Sequence, residues 1–315
     1  ATAPNPDRPI AWGVTFSQKF SRELNGDWQK NFIAITDELK PERLRLVAYW
    51  DELEPVRGQY RFGDLDWQFD QAEGAGIPVV LAVGLKMPRW PECHLPVWAA
   101  ALPEEDREAV LGGYLGRVVE RYKGRGGLFA WQVENEPFLA FGECPERPEW
   151  ALERELELVR TIDPSRPVVV TDSGELGLWY RADKHADIFG TTMYRKIYPR
   201  FLGPLIGIVE YPLPPDFFRA KEHIVRLFSD RPTKRFIVIE LQGEPWEPRS
   251  LKDFAPQELI RSFSPGYFRE TIDYAKATGF EEYYLWGVEW WYWMKESHDV
   301  PDYWDIAREL MHNEE

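Results

Sequence analysis

The amino-acid sequence predicts a single closed (β/α)8 barrel, on three observations. Short apolar runs recur eight times along the 315 residues, most of them separated by segments of helical character. Strands that alternate with helices form a parallel sheet with right-handed crossovers. Eight such units in a chain of this length favour a closed barrel over an open sheet, and the sequence lacks the glycine-rich phosphate loops of the open nucleotide-binding sheets.

The elements follow in order. The strands are expected at Ile10–Phe16 (IAWGVTF), Leu44–Tyr49, Ile77–Gly84 (IPVVLAVG), Leu128–Val133 (LFAWQV), Val168–Thr171, Ile188–Met193, Phe236–Ile239 (FIVI) and Tyr283–Val288. Helices are expected at Trp28–Leu39, Leu65–Ala75, Glu104–Tyr122, Pro148–Ile162, Phe217–Phe228, Pro256–Ala277 and Asp302–Met311. The long one, Glu104–Tyr122, sets Val110, Leu111, Tyr114, Leu115, Val118, Val119 and Tyr122 at helical spacing. Around Glu175–Lys184 the helical pattern is weakest. No shift in composition marks a second domain, so residues 1–315 read as one domain with tails at 1–9 and 312–315.

Composition narrows the partners. At 44% hydrophobic residues the chain can bury a large core, and a net charge of −15 repels phosphate backbones and anionic lipid. Neither a nucleic-acid partner nor membrane insertion is expected, since no apolar stretch is long enough to span a bilayer. The first residue is Ala1, which fits a removed leader and a secreted or exported protein, with a cytoplasmic location still open. A barrel whose exterior is covered by helices needs no second copy, so a monomer is expected. Neither metal nor cofactor is expected: histidines number 5, and no paired ligand spacing appears.

In such barrels the chemistry sits at the C-terminal ends of the strands. Strand two carries Arg45 and ends near Trp50; strand three leads into Lys86, Arg89, Trp90 and His94. Strand four leads into Glu134, Asn135 and Glu136, and strand six into Tyr194. Strand seven leads into Glu240 and Gln242, and strand eight carries Trp286 and then Glu289, Trp290 and Trp291. Carboxylates, aromatic faces and hydrogen-bonding groups of this kind suit a sugar. Retaining glycoside hydrolysis needs two carboxyl groups about 5–5.5 Å apart, one to protonate the leaving oxygen and one to attack the anomeric carbon. Glu136 and Glu240, at the tips of strands four and seven, are the pair to expect.

The tip Trp131–Pro137 (WQVENEP), the Glu240 that follows an unbroken apolar run, Arg45, Tyr194 and Trp286 together resemble glycoside hydrolase clan A, the 4/7 barrels. The resemblance covers all eight units. It implies Glu136 as general acid/base, Glu240 as nucleophile, and Asn135 as a hydrogen-bond partner of the sugar 2-hydroxyl. It further implies Tyr194 holding Glu240, Arg45 beside it, and Trp286 as the floor of the cleavage subsite. The chain lacks the His-rich signatures of the common cellulase subgroup, so the resemblance stops short of one family.

Other residues take weaker expectations. One of Trp290 or Trp291 joins Trp286 as a sugar platform, with Trp50 and Trp246 behind them. Lys86, Trp90 and His94 lie within reach of a ligand, although His94 also reads as a hydrogen-bonded structural residue. Glu244 either lines a subsite or lies at the surface. Cys93 and Cys144 fall in neighbouring loops on one barrel face and are expected to form a disulfide.

The expected activity is hydrolysis of a β-linked oligo- or polysaccharide through a glycosyl-enzyme. A transglycosylase uses the same groups and is the alternative. A non-catalytic carbohydrate-binding barrel is disfavoured because both glutamates are present. A metal or phosphate barrel is disfavoured because the segment after strand eight is aromatic.

Overall fold

The computed structural model describes residues 8–145, 147–199, 203–230 and 234–312; of the expected tails at 1–9 and 312–315, residues 1–7 and 313–315 lie outside them, and His312 ends the last helix, Asp302–His312. Eight strands close into a barrel in chain order. They are β1 (Ala11–Thr15), β2 (Arg43–Val47), β3 (Val79–Val83), β4 (Leu128–Val133), β5 (Val168–Asp172), β6 (Ile188–Met193), β7 (Arg235–Gln242) and β8 (Glu282–Trp286). Each falls on one of the apolar runs. The chain divides into two compact units, Leu44–Gly190 with Ser229–Arg235, and Ala1–Arg43 with Thr191–Phe228 and Phe236–Glu315.

In the first of these units β3 pairs in parallel with both β2 and β4, in registers that include Leu46↔Leu81 and Leu81↔Trp131. All five residues of β3 (VVLAV) are buried, as expected for a strand covered on both faces. The helix Glu104–Tyr122 has the predicted bounds. It buries Leu111, Tyr114, Leu115, Val118, Val119 and Tyr122, each worth about 1.5–3 kcal/mol against exposure. Its first turn carries Glu104, Glu105 and Asp106, whose charges complement the positive end of the helix dipole. The helix Glu149–Ile162 follows the same logic with Leu152, Leu156 and Val159 buried. In the weakly patterned fifth connection only Tyr180–His185 is helical.

In the other unit β8 pairs in parallel with β1 and β7. The segment expected as one helix over Trp28–Leu39 starts as an α-helix capped by the Asp27 carboxylate and ends as a π-turn, Ile35–Leu39. The segment expected over Pro256–Ala277 is two helices, Pro256–Ser262 and Pro265–Thr278. Pro265 disfavours helical geometry at Ser264, and Ser264 instead caps the second helix by accepting from Tyr267 N at 3.1 Å. Among the features unread in the sequence are the helices Gln18–Glu23 and Val288–His298, and a two-residue antiparallel pairing of Lys196–Ile197 with Val209–Glu210. Among the described residues no helix is long and apolar enough to cross a membrane.

Candidate active site

The end of β4 is a strained tip held from several sides. Glu134 and Glu136 both adopt positive φ, 60° and 44°, a region non-glycine residues rarely occupy. Backbone bonds lock it: Glu134 N to Val83 O at 3.0 Å and Asn135 N to Lys86 O at 2.7 Å. Glu136 N donates to Thr171 Oγ1 at 2.8 Å. Lys86 adds its ammonium, which donates to the carbonyls of Glu136 and Leu139 at 3.0 and 2.8 Å. A side chain expected to face ligand therefore works on the backbone beneath the proposed acid/base.

Hydrogen bonding, not strand parity, distinguishes Glu134 from its neighbour. Glu134 turns into the protein, where its carboxylate accepts from Leu85 N and Lys86 N, each at 2.7 Å, and from Arg147 Nη1 at 3.0 Å. Gly84 opposite has φ +142° and no room for a side chain, since a Cβ would stand 2.5 Å from Glu134 Oε1. Glu134 is thus structural, and Glu136 beside it is 7% exposed.

Asn135 is oriented by its carbonyl end. Arg45, fully buried, donates from Nη2 to Asn135 Oδ1 and from Nε to Gln132 Oε1, both at 2.8 Å. Gln132 Nε2 donates to the same Asn135 oxygen at 3.3 Å. Two donors on Oδ1 fix the amide flip, so Nδ2 is the end turned outward. It donates to Glu92 Oε2 at 3.3 Å. Gln132 and Glu92 were missed in the sequence, although an in-strand Gln two residues before Glu134 was a usable signal.

The loops after β3 and β4 are fastened together by the expected disulfide between Cys93 and Cys144, with Cα atoms 5.2 Å apart. Glu143 N also donates to Pro91 O at 2.9 Å. Trp90 stays 52% exposed, its ring edge-on to Phe141, and keeps the option of touching ligand. His94 does not: its Nε2 lies 3.1 Å from Arg89 O, its ring packs on Tyr49, and it is 3% exposed. The ligand-binding expectation for His94 is corrected to the structural one.

On the end of β7, Glu240 does not terminate the strand; pairing continues through Leu241↔Leu285 and Gln242↔Trp286. Between Val238↔Tyr283 and Leu241↔Leu285 the register shifts, three steps on β7 against two on β8. This bulge falls at Ile239–Glu240, where an extra residue re-aims a side chain. Tyr194 donates its hydroxyl to Glu240 Oε2 at 2.8 Å, as expected, and Trp246 stands edge-on to Tyr194 with ring centroids 4.8 Å apart.

Gln242 is a backbone staple rather than a ligand group. Its Oε1 accepts from Arg195 N and Lys196 N, each at 2.9 Å, and its Nε2 donates to Lys196 O at 2.7 Å. With its side chain fully buried, the ligand-binding expectation for Gln242 is corrected.

Of the tryptophans, Trp286 is 8% exposed and donates Nε1 to Glu244 Oε1 at 2.8 Å. Glu244 is therefore a buried partner of the proposed sugar floor and not a surface residue. Gly243 permits the approach, since a Cβ there would stand 2.5 Å from Trp286 O. Three other platform expectations are corrected. Trp50 is fully buried, stacked on Tyr114 and donating to Glu54 Oε2 at 2.9 Å. Trp290 packs against Phe263 and Tyr303, and Trp291 against Phe268, both with no exposed surface. The helix Val288–His298 turns these two rings inward.

No protein-family model matches the chain. Endo-1,4-beta-xylanase B of Humicola insolens is 29% identical over 127 residues, 37% of this chain and 31% of that protein. The matched region thus spans about a third of that relative's length. A GH5_18 protein from Streptomyces cattleya, solved with GlcNAc, superposes with TM-score 0.59 at 16% identity, over 89% of this chain and 70% of that one. An exo-beta-1,4-mannosidase from Opitutaceae bacterium strain TAV5 superposes with TM-score 0.58 at 12% identity, over 88% and 51%. These likenesses show that the chain shares the barrel fold of those solved structures.

Proposed function

We propose that the chain is a retaining β-glycosidase, with Glu136 as general acid/base and Glu240 as nucleophile. The observation that carries this is placement: Glu136 follows the C-terminal end of its strand and Glu240 lies near the C-terminal end of its own, each on an irregular backbone, a positive φ at Glu136 and a bulge at Glu240. Glu136 passes its proton to the glycosidic oxygen as that bond breaks, and Glu240 bonds to the anomeric carbon. Water, deprotonated by Glu136, then displaces Glu240 and restores both groups. Asn135 presents Nδ2 to the sugar 2-hydroxyl, Trp286 lies under the ring, and Trp90 and Trp246 contact it further out.

Two of the relatives, the xylanase and the mannosidase, are described by names that specify β-1,4 bonds, and a β-1,4-linked mannoside or xyloside is the substrate class we assign. The Cys93–Cys144 bridge supports an exported protein, because such bonds persist in oxidising compartments. One test covers the reading: wild type, Glu136→Gln and Glu240→Gln assayed on aryl β-mannosides, β-xylosides and β-1,4-linked oligosaccharides, with proton NMR of the first-formed anomer. Cleavage with retained configuration, and loss of at least a thousandfold in Glu240→Gln, supports the reading. Inverted product, or variants as active as wild type, overturns it.

A further inference from the structure

We infer that the chain carries a zinc-class divalent cation site on its helical exterior, made by Glu149, Glu153 and His185. Glu149 and Glu153 are one turn apart on the helix Glu149–Ile162, so their carboxylates share a face. His185 ends the neighbouring helix Tyr180–His185. One ligand atom from each of the three lies within 4.8 Å of the others.

The donor set, two carboxylates and one imidazole, selects the ion. Calcium and magnesium take all-oxygen shells, whereas mixed nitrogen and oxygen donors suit zinc and its neighbours. Tetrahedral zinc with bonds of about 2.1 Å sets its ligand atoms about 3.4 Å apart. His185 Nε2 and Glu149 Oε1 already stand 3.2 Å apart, and Glu153, on an exposed and flexible stem, closes the third position by a small rotamer change.

Surrounding contacts are those a metal site needs. The His185 side chain is 9% exposed, which holds its ring in place. Arg181 Nη2 donates to Glu149 Oε2 at 3.0 Å, gripping the outer oxygen of the carboxylate and leaving Oε1 turned to the imidazole. The Arg181 guanidinium itself lies 4.1 Å over the ring of Phe138, two residues beyond Glu136. Arg160, the nearby cation on the same helix, is engaged by His185 O at 2.8 Å and Asp187 Oδ2 at 3.2 Å. A groove of about 420 Å³ lined by Glu153, Glu157, Arg160 and His185 adjoins the cluster and has room for a water as fourth ligand.

The test is independent of glycosidase activity. Protein stripped with chelator is titrated with Zn²⁺ by calorimetry and with Co²⁺ by visible absorption, for wild type, His185→Gln and Glu153→Gln. Wild type is expected to bind one equivalent with micromolar or tighter affinity, to show the intense bands of four-coordinate Co²⁺, and to melt at higher temperature with zinc. Glu153→Gln is expected to weaken binding by about tenfold or more, and His185→Gln to abolish the Co²⁺ bands. Melting without metal checks that both variants fold; Glu153 is exposed, so its variant keeps the test valid if His185→Gln fails to fold. Absence of binding in the micromolar range, or equal binding by wild type and Glu153→Gln, overturns the site.

Discussion

The Tyr194 hydroxyl donates to Glu240 Oε2 at 2.8 Å, from a residue just beyond β6 to a bulge in β7. The bond selects one rotation of the carboxylate about its stem, which a nucleophile attacking a single carbon requires. Tyr194→Phe keeps the ring and its edge contact with Trp246, so the fold is expected to hold. On an activated aryl β-glycoside, kcat/KM is expected to fall tenfold to hundredfold, about 1.4–2.7 kcal/mol of transition-state stabilisation. Unchanged kinetics would show that other contacts orient Glu240 without the phenol.

Trp286 and Trp290 lie four residues apart and are expected to fail in different ways. Trp286→Ala removes the proposed sugar floor and leaves Glu244 buried without its indole donor, so KM is expected to rise with a modest loss of stability. Trp290→Ala opens a cavity among Phe263 and Tyr303, and the expected cost is about 3–5 kcal/mol of folding free energy with KM unchanged in whatever remains folded. Denaturant melts and Michaelis curves on both variants separate the two roles. Reversed behaviour would return Trp290 to the ligand side.

The barrel was legible because its strands are buried on both faces and read as apolar runs, β3 most plainly. Glu136 and Glu240 stood out in the sequence because each is a polar residue following an apolar run, although the seventh strand pairs on beyond Glu240 to Gln242. The failures share a cause: a side chain's direction is not written in its type. Trp50, Trp290 and Trp291 suit a sugar face and a core equally well, and only the helical turn through Val288–His298 points the last two inward. Gln242 and Lys86 have ligand-like chemistry, yet the backbone groups they serve, such as Arg195 N, Lys196 N and Glu136 O, come from other stretches of chain. The bulge at Glu240 depends on a neighbour's register, which no single-strand pattern encodes.

Reduction of Cys93–Cys144 is expected to lower stability more than activity. The bridge closes a loop of sequence separation 51, worth as much as about 4 kcal/mol in the chain-entropy picture. The β4 tip has its own locks at Thr171 and Lys86, so the proposed acid/base Glu136 is expected to keep its position. Melting and kcat measured with and without dithiothreitol, and in a Cys93→Ser/Cys144→Ser double variant, check this. A loss of kcat equal to the loss of folded protein fits; a larger loss means the bridge also shapes the site.

Arg147 is shared by three carboxylates, and this sets a pH dependence of stability. Its guanidinium meets Glu108 Oε2 at 2.6 Å, Glu155 Oε1 at 2.5 Å and Glu134 Oε1 at 3.0 Å. One cation does not neutralise three anions. Burial first, and then the charge of Glu134, push the Glu155 carboxyl well above its ordinary value near 4.5, outweighing the pull of Arg147. Glu155 Oε2 is buried with no hydrogen-bond partner among the described residues, so a proton there disturbs no existing bond. The folded protein therefore holds a proton that the unfolded chain releases near pH 4.5. The stability this contributes is fully present below that pH and is lost as pH rises toward the folded value, at no more than about 1.4 kcal/mol per pH unit. Glu155→Gln mimics the protonated form, and its stability is expected to decline less steeply than wild type between about pH 5 and 8. Parallel slopes for the two proteins in urea melts across that range would mean that Glu155 is already ionised and that Arg147 offsets its burial.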